Sequence, residues 1–469
     1  MNYISTRGGI APISFVDAVM MGLAADGGLL LPEEIPVFSA GELEQLGKLS
    51  YQQLALRIFQ PYVGDCLAAD VLAELVKTSY ATFTNPLVAP LVKKGDLYIL
   101  ELFHGQTLAF KDIALSLLGN LFARLLADRQ QELNILGATS GDTGSAAIYG
   151  VRGKKHINIF ILHPHGKVSP IQEKQMTSVL DDNVFNVAVE GTFDDGQRIV
   201  KEIFADLDFK REFHLGAVNS INWARIMAQI VYYFTAYLQL PAAAREVVDI
   251  VVPTGNFGNI FAGYLAKQMG LPIRRLILAS NENNILSHFI ASGVYERSQV
   301  VPTWSPSMDI QVASNFERYL YYLLDGDSAA ICKVFAELQE SGRIAIGNHR
   351  FARVQTDFAS GYSSNEENIA TIAEFYQQTG YILDPHTAVG VQVARKLNPP
   401  RTSDRVTTIC LATAHPAKFP QAVEKAIGFP PPVPVSLQGI EQLPSRFAIL
   451  PASTPIVKKY IKDQLLSPA

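Results

Sequence analysis

Lys111 has the residue type and the surroundings for covalent chemistry. It lies in the stretch HGQTLAFKDIAL at residues 104–115, directly after the strand-like segment LYILELF at residues 97–103. A lysine held in an apolar pocket loses solvation of its charged form, so its pKa falls and the amine becomes nucleophilic. Such an amine can form a Schiff base with an aldehyde. The alternative is a surface lysine at the start of a helix that begins at Asp112, although the positive end of a helix dipole disfavours a cation there.

Two strand-to-helix turns have the composition of anion-binding sites. ATSGDTGSAA covers residues 138–147, and PTGNFGNIFAG covers residues 253–263 after the apolar strand DIVV. Glycines and small polar residues leave backbone N–H groups available to an anion at the start of a helix. The second turn has neither the GK[ST] ending of a P-loop nor the GxGxxG spacing of a dinucleotide site. Ordinary helix caps are the alternative, with Ser140 or Thr143 capping the first helix.

Two further turns place polar side chains at strand ends. AVNSINWARI contains Asn219, Ser220, Asn222 and Arg225, and LATAHPAKFP contains Thr413 at the end of a strand. An arginine one turn into a helix, with amide and hydroxyl neighbours, is suited to a second oxyanion. A threonine hydroxyl at a strand end can hydrogen-bond a ring nitrogen without carrying charge. A helix cap with a surface arginine is the alternative for the first turn, and a simple cap for the second.

A nucleophilic lysine and a phosphate-binding turn in one fold indicate a specific cofactor. Pyridoxal phosphate carries both an aldehyde and a phosphate, so Lys111 would form the Schiff base while Phe110 and its apolar neighbours exclude water. The interpretation depends on Lys111 being buried.

Alternating strands and helices must position these turns. From Leu97 onward short β-branched runs alternate with helical patterns, which predicts parallel sheets covered on both faces. Ligands of such sheets bind at the carboxyl ends of the strands. The first ninety or so residues read as helices without intervening strands. We therefore predict a helical N-terminal domain at 1–92, a catalytic region of two α/β subdomains at 93–430, and a C-terminal tail at 431–469 whose structure the pattern does not indicate.

Composition narrows the class of protein. The chain has 469 residues, 48% hydrophobic and 18% charged, with a formal net charge of -5, so we expect a multidomain globular protein that does not bind nucleic acid. Three cysteines far apart in sequence are typical of a reducing cytoplasm. The N-terminal stretch has no signal-peptide pattern. The uncharged run at 226–244 contains glutamines, a proline and central tyrosines, which favours a buried helix over a membrane span.

Several motifs, in this order, resemble the threonine synthase family: HGQTLAFKD, ATSGDTGSAA, NSINWAR, VPTGNFGNIFAGYLAKQMGLPI and TAHPAKF. The N-terminal stretches YISTRG and GLAADGGLLLPE are similar to the same family, so the resemblance extends from Tyr3 to about Gly428. One departure is Gln106, where the family usually has proline in HGPTLAFKD.

The resemblance implies a tryptophan-synthase-β-like fold (fold type II), with pyridoxal 5'-phosphate between two α/β domains and Lys111 as the Schiff-base lysine. It implies a cofactor-binding set of Gly255, Asn256, Phe257, Gly258 and Asn259, with Thr413 at the pyridine nitrogen. It implies a substrate-binding set of Ser140, Gly141, Asp142, Thr143, Asn219, Ser220 and Arg225. The implied reaction converts O-phospho-L-homoserine and water to L-threonine and phosphate. Separately from the resemblance, we expect a cytoplasmic protein that is a monomer or homodimer.

Other functions compete with this interpretation. A dehydratase or an O-acetylserine sulfhydrylase of the same fold acts on substrates without phosphate, which Arg225, Asn219 and Ser220 disfavour. A phospho-lyase related to threonine synthase, releasing a keto acid and ammonia, stays open, as does a binding protein in which Lys111 is structural. His163 and His165 lack nearby cysteines or carboxylates, so we predict no metal site.

Overall fold

The structure is a computed structural model that describes residues 1–399 and 406–466. The chain divides into two compact units, each built from segments distant in sequence. The first unit comprises Met1–Phe110 and Ser220–Pro432, and the second comprises Lys111–Asn219 and Val433–Ala469. The domain boundaries near residues 92 and 430 stay a prediction. The two compact units divide the chain differently, since the first unit continues past residue 92 to Phe110 and the second joins Lys111–Asn219 to the C-terminal tail.

The strands are short, as expected of sheets crossed by helices. In chain order they are β1 (Tyr3–Ser5), β2 (Leu30–Pro32), β3 (Leu91–Lys94), β4 (Leu97–Glu101), β5 (Leu133–Ala138), β6 (Ile157–Pro164), β7 (Val184–Glu190), β8 (Leu215–Gly216), β9 (Val248–Pro253), β10 (Arg275–Ser280), β11 (Val294–Glu296), β12 (Arg343–Ala345), β13 (Phe358–Tyr362), β14 (Thr407–Ala412) and β15 (Ala448–Pro451).

The helices separate most of these strands. In chain order they are α1 (Phe15–Met21), α2 (Ala40–Leu46), α3 (Tyr51–Val63), α4 (Ala69–Tyr80), α5 (Lys111–Arg129), α6 (Asp142–Val151), α7 (Pro170–Thr177), α8 (Phe193–Ala205), α9 (Leu207–Glu212), α10 (Trp223–Gln239), α11 (Gly258–Gln268), α12 (Ile285–Ser292), α13 (Phe316–Leu323), α14 (Ser328–Ser341), α15 (Asn348–Asp357), α16 (Asn365–Thr379), α17 (Pro385–Leu397), α18 (Pro420–Ile427) and α19 (Thr454–Leu466). Short 3-10 helices cover Gly64–Cys66, Ala242–Ala244, Pro306–Met308, Pro416–Lys418, Val435–Leu437 and Ile440–Gln442.

The first unit is built on a six-stranded sheet with the order β13-β10-β9-β14-β4-β3. Its strands are parallel except for β3, which pairs antiparallel with β4. Every residue of β9 is buried, because helices cover both faces of the sheet. The core on one side joins Val251, Ile277 and Cys410 of the sheet to Val389 and Val391 of α17. The carboxyl ends of β9 and β14 therefore bring the turns that follow them to one edge of the sheet.

The N-terminal segment corrects one sequence-based expectation. Four helices form in this segment where the sequence pattern predicts three, because residues 40–63 divide into α2 and α3. Ser39 and Ser50 start these two helices with capping boxes completed by Glu42 and Gln53. The prediction that no strand interrupts the helices of this segment is wrong, since β1 and β2 form an antiparallel pair with Ile4 opposite Leu31. Strands of three residues are too short to show an alternating pattern in sequence.

The second unit is built on a parallel sheet with the order β15-β7-β6-β5-β8. The tail that the sequence pattern left unplaced supplies its edge strand β15 and the helix α19. Val457 and Ile461 of α19 pack into a core with Ile199 and Ile203 of α8 and Leu162 of β6. The tail is therefore part of the folded core of this unit, and both sheets confirm the predicted α/β class.

The uncharged run that resembled a membrane segment forms α10, in which residues 223–237 are all buried. It packs against α3 and α11 of the same unit, as expected of an internal helix. In the part of the chain that the structure describes, no helix has the length and the apolar character needed to cross a membrane.

Candidate functional site

The turn between β9 and α11 is shaped by close backbone contacts. A Cβ atom at Gly255 would lie 2.9 Å from the Ser307 carbonyl oxygen, so a side chain there would collide with backbone. Phe257 adopts a left-handed conformation with φ of 62°, and α11 begins at the next residue, Gly258. The turn thus brings the first N–H groups of α11 to the edge of the sheet, where they can bind an anion.

The side chain of Asn259, in the first turn of α11, is held in one orientation. Its Oδ1 accepts hydrogen bonds from the hydroxyls of Tyr232 at 2.5 Å and Tyr233 at 2.9 Å. Its Nδ2 is buried and has no hydrogen-bond partner among the described residues. A buried amide donor without an acceptor is unfavourable, so this group is suited to bind an anion that approaches the turn.

The glycine turn is hydrogen-bonded to the segment that precedes α10. Asn256 Nδ2 donates to the hydroxyl of Ser220. Asn315 Nδ2 donates to the carbonyl oxygens of Asn256 at 3.1 Å and Ser220 at 3.3 Å. The buried guanidinium of Arg318 donates in turn to Asn315 Oδ1 at 2.6 Å and to the Ile221 carbonyl at 2.5 Å. Polar groups of two predicted turns are therefore held in one network within the first unit.

Arg225 is buried in the first turn of α10, with 4% of its surface exposed. Its Nε and Nη1 have no hydrogen-bond partner among the described residues. Burial lowers the pKa of the guanidinium to about 10, because the charged group loses water. The alternative of a surface arginine is therefore wrong. The structure does place Asn222 as a cap, since its Oδ1 accepts the Ala224 N–H at 3.0 Å.

Asn219 and Ser220 stand where the chain passes from the second unit to the first. Asn219 Oδ1 is buried and lacks a hydrogen-bond partner within the described ranges. An unpartnered acceptor would repel an anion, but the Nδ2 of the same amide can donate to one. The predicted phosphate-binding cluster thus contains one buried cation and several polar groups.

Thr413 follows β14 and is buried. Its carbonyl oxygen accepts the Phe110 N–H at 2.9 Å, and the His415 N–H donates to the Leu108 carbonyl at 3.0 Å. The fully buried Lys418 adds a hydrogen bond from Nζ to the Thr107 carbonyl at 2.8 Å. The segment after Thr413 therefore fixes residues 107–110, which lead directly to Lys111. Gln106, the departure from the family pattern, is exposed in a turn closed by the Leu108 N–H and the Gly105 carbonyl.

Lys111 is the first residue of α5 in the second unit, and it is buried. Its Nζ lies 3.4 Å from Oδ2 of Asp142, the first residue of α6. Asp142 Oδ1 accepts a hydrogen bond from Gln172 Nε2 at 2.8 Å. A carboxylate at a helix N-terminus is stabilised by the helix dipole and offsets part of the unfavourable position of the lysine cation. The expectation that Lys111 is removed from bulk water is met.

The turn after β5 is capped by a residue that the sequence pattern did not single out. The Thr139 hydroxyl accepts the N–H groups of Gly141 at 3.0 Å and Gly144 at 2.9 Å. The capping alternative for Ser140 and Thr143 is therefore not needed to explain the helix start. Ser140 is exposed and Thr143 is half-buried at the start of α6.

Sequence reasoning missed the residues that support these turns. They are Thr139, Gln172, Tyr232, Tyr233, Asn315, Arg318 and Lys418. Two of them lie in quoted motifs, Thr139 in ATSGDTGSAA and Lys418 in TAHPAKF, where the apolar neighbours of Lys418 could have indicated burial. The others contact the turns through the tertiary fold and leave no local pattern.

Family models match most of the chain in three parts. "Threonine synthase N terminus" matches residues 2–80, "Pyridoxal-phosphate dependent enzyme" matches residues 84–349, and "Threonine synthase, C-terminal" matches residues 387–461. The last match includes the tail strand and most of α19.

Similar proteins cover the full length of the chain. Threonine synthase of Pseudomonas aeruginosa is 47% identical over 99% of this chain and 98% of its own, and that of Saccharomyces cerevisiae is 45% identical over 99% and 98%. The crystal structure of PLP-bound threonine synthase from Brucella melitensis aligns over both whole chains with a TM-score of 0.95 and 46% identity. The predicted fold type II architecture and pyridoxal phosphate as the cofactor are confirmed. The chain belongs to the threonine synthase family of pyridoxal-phosphate-dependent enzymes.

Proposed function

We propose that this chain converts O-phospho-L-homoserine and water into L-threonine and inorganic phosphate. The observation that carries the proposal is a pair of buried, unpartnered donor groups on two helices of the first unit, Asn259 on α11 and Arg225 on α10. One phosphate belongs to the cofactor. A second anion-binding group supports a substrate that carries a phosphate of its own.

The residues of the glycine turn fit the cofactor. Gly255 lets the turn pass close to the Ser307 carbonyl, and the N-terminus of α11 with Asn259 Nδ2 offers donors to the cofactor's phosphate. We assign the phosphate to residues 255–259 and the pyridine nitrogen to Thr413. A neutral hydroxyl would not hold that nitrogen protonated. When bound, pyridoxal phosphate withdraws electrons from the substrate and stabilises negative charge at its carbon atoms.

Lys111 attaches the cofactor and then moves protons. When it is not attached to the cofactor, Nζ would take the proton from the substrate's α-carbon and serve as a proton carrier in the later steps. Asp142, 3.4 Å from that nitrogen, holds the ammonium form near the reacting carbon atoms. Ser140, Gly141 and Thr143, at the start of the same helix, bind the substrate through their N–H and hydroxyl groups.

Arg225, with Asn219 and Ser220, holds the substrate's phosphate. Loss of a β-proton expels this group from the γ-carbon, and the guanidinium stabilises the charge that accumulates on the departing phosphate. A proton returned to the γ-carbon makes the methyl group of threonine. Water adds its oxygen to the β-carbon and a proton returns to the α-carbon, so the new hydroxyl comes from solvent while the bridging oxygen leaves with phosphate.

Isotope labelling tests this reaction. In water enriched in ¹⁸O, we expect threonine and phosphate in equal amounts, with the label in threonine and no label incorporated into phosphate at release. Label in phosphate would indicate simple hydrolysis of the phosphate ester. A keto acid and ammonia would establish the phospho-lyase alternative.

We further propose that the protein works in the cytoplasm as a monomer or homodimer. The three cysteines support the first part, because none forms a disulfide and Cys66 and Cys332 are exposed, as is tolerated in a reducing compartment. Sedimentation of the purified protein with bound cofactor would determine the subunit number, and a tetramer would contradict the second part.

A further inference from the structure

We propose that Tyr232 and Tyr233 are positioning residues that fix which face of the Asn259 amide meets the cofactor's phosphate. This inference rests on the proposed function, because it takes residues 255–259 as the phosphate site. Tyr232 Oη lies 2.5 Å and Tyr233 Oη 2.9 Å from the same acceptor, Asn259 Oδ1. Tyr233 Oη also lies 2.8 Å from the Asn259 carbonyl oxygen, so its proton is shared between two acceptors of one residue.

An asparagine amide can present either an acceptor or a donor to its surroundings. With Oδ1 directed at two hydroxyl donors, Nδ2 is necessarily on the opposite side of the amide. That nitrogen is the buried donor without a partner in the described part of the chain. The reverse orientation would direct Oδ1 at the phosphate, and two acceptors facing each other repel. The tyrosines therefore select the orientation that attracts an anion.

The hydroxyls are suited to this role because they stay protonated. Both side chains are fully buried, and burial raises the pKa of each far above its ordinary range. They remain donors at every pH at which the protein would function. A phenylalanine would fill the same space without a buried hydroxyl, so packing alone does not account for two tyrosines here.

Gly263 allows the Tyr233 ring to reach Asn259. A Cβ atom at Gly263 would lie 2.6 Å from Tyr233 Cε1 and 2.8 Å from Cζ, which is closer than atoms can approach. Gly263 follows Asn259 by four residues, so both lie on the same face of α11. The pattern NxxxG in GNIFAG thus supplies both the Asn259 amide and, at Gly263, the space for the Tyr233 ring that orients this amide.

The test compares Tyr232→Phe, Tyr233→Phe and the double variant with the parent protein. Cofactor is removed, and its dissociation constant is measured by titration with pyridoxal 5'-phosphate. We expect each single variant to weaken binding about fivefold and the double variant roughly thirtyfold, as for the loss of one and two hydrogen bonds. The ³¹P resonance of the bound cofactor should shift in each variant.

Tyr264→Phe is the matched control, since Tyr264 is a buried tyrosine on α11, the helix of Asn259, and its hydroxyl is not among the donors to Asn259 in the described structure. Its dissociation constant and ³¹P resonance should equal those of the parent. Parent-like binding and ³¹P resonance in the double variant would overturn the inference. So would a loss of binding matched by Tyr264→Phe, because that would indicate general loosening of α11.

Asn259→Ala separates this failure from failure of the proposed site. If Asn259→Ala weakens cofactor binding while the double tyrosine variant does not, the glycine turn binds the phosphate but the tyrosines do not orient the amide. If Asn259→Ala leaves binding unchanged, the assignment of this amide to the phosphate is wrong and the inference falls with it.

Discussion

Replacing Arg225 by methionine should stabilise the cofactor-free protein and impair the enzyme. Methionine has a similar length and no charge, so it removes the guanidinium without opening a large cavity. Two of the guanidinium nitrogens are buried without an acceptor in the described part of the chain. Such a group destabilises the fold unless a ligand supplies the missing acceptor.

The magnitude follows from the missing acceptors, because burial lowers the pKa of Arg225 to about 10 and that of the hydrogen-bonded Arg318 to about 9. A buried polar group without a hydrogen-bond partner costs about 1–3 kcal/mol. This cost is fully present at pH 7, and it is relieved as pH rises through the lowered pKa of about 10, where the folded form releases the proton before the unfolded chain does. We therefore expect Arg225→Met to raise the free energy of unfolding at pH 7 by about 1–3 kcal/mol.

The effect on activity has the opposite sign. Loss of a charge-assisted contact to a phosphate costs a few kcal/mol, so kcat/KM for O-phosphohomoserine should fall on the order of a hundredfold. Arg225→Lys should retain only part of the parent's kcat/KM, since the point charge of an ammonium does not reproduce the planar pair of guanidinium donors. Inorganic phosphate should compete with substrate in the parent and much less in Arg225→Met. Cofactor affinity should stay near that of the parent.

Arg318→Met is the matched control for the stability measurement. Arg318 is also fully buried, but its guanidinium donates to the carbonyls of Leu30 and Ile221 and to Asn315 Oδ1. Its removal would leave these acceptors unpaired, so urea unfolding should show a loss of about 3 kcal/mol or more. If Arg225→Met is destabilised as Arg318→Met is, the reasoning about an unpartnered cation is refuted. Normal kcat/KM in Arg225→Met would place the substrate's phosphate elsewhere.

Three other substitutions test the remaining assignments. Lys111→Ala should lose covalent attachment of the cofactor and nearly all turnover, while its circular dichroism stays that of the parent. Mass spectrometry of the borohydride-reduced parent should find the cofactor adduct on Lys111, and an adduct on another lysine would contradict the assignment. Thr413→Asp should retain the cofactor but change the absorption spectrum with substrate bound and increase side products, because a carboxylate would hold the ring nitrogen protonated; unchanged spectra and products would show that Thr413 does not face the ring. Lys418→Met removes the donor to the buried Thr107 carbonyl and should lower the free energy of unfolding by about 1–3 kcal/mol in urea, and an unchanged midpoint would contradict the role of this bond.

The turns that carry the proposed chemistry were predictable because each has a local cause. A strand must end, a helix must begin, and glycines with small polar residues between them produce a distinct sequence pattern. The α/β class followed from the same alternation, and the burial of Lys111 was an explicit condition of its interpretation. The pattern could not decide whether Arg225 is exposed, because an arginine in the first turn of α10 is compatible with either a surface or a buried position.

The residues that hold the turns in place were not predictable. Arg318 contacts the Leu30 carbonyl 288 residues away, and Asn315 contacts the Asn256 carbonyl 59 residues away. Hydrogen bonds of this kind depend on which helices become neighbours, and no spacing within α13 or before it indicates them. The pair β1–β2 and the edge strand β15 were missed for a related reason, since strands of three or four residues are defined by their partners.

The unpartnered groups of the first unit explain why stability and function should diverge here. Arg318 and the two tyrosines beside Asn259 have their polar atoms paired, and they support the turns. Arg225 Nε and Nη1 and Asn259 Nδ2 are donors left without acceptors within the described residues. A fold under selection for stability alone would replace them with apolar groups. Because all three are N–H donors, a bound anion supplies the acceptor that each lacks. Ligands that bind only the folded state raise the free energy of unfolding in proportion to the logarithm of their concentration. Inorganic phosphate should therefore stabilise the parent more than it stabilises Arg225→Met. Cofactor should likewise stabilise the parent more than it stabilises Asn259→Ala. Each donor is thus tested by the anion assigned to it.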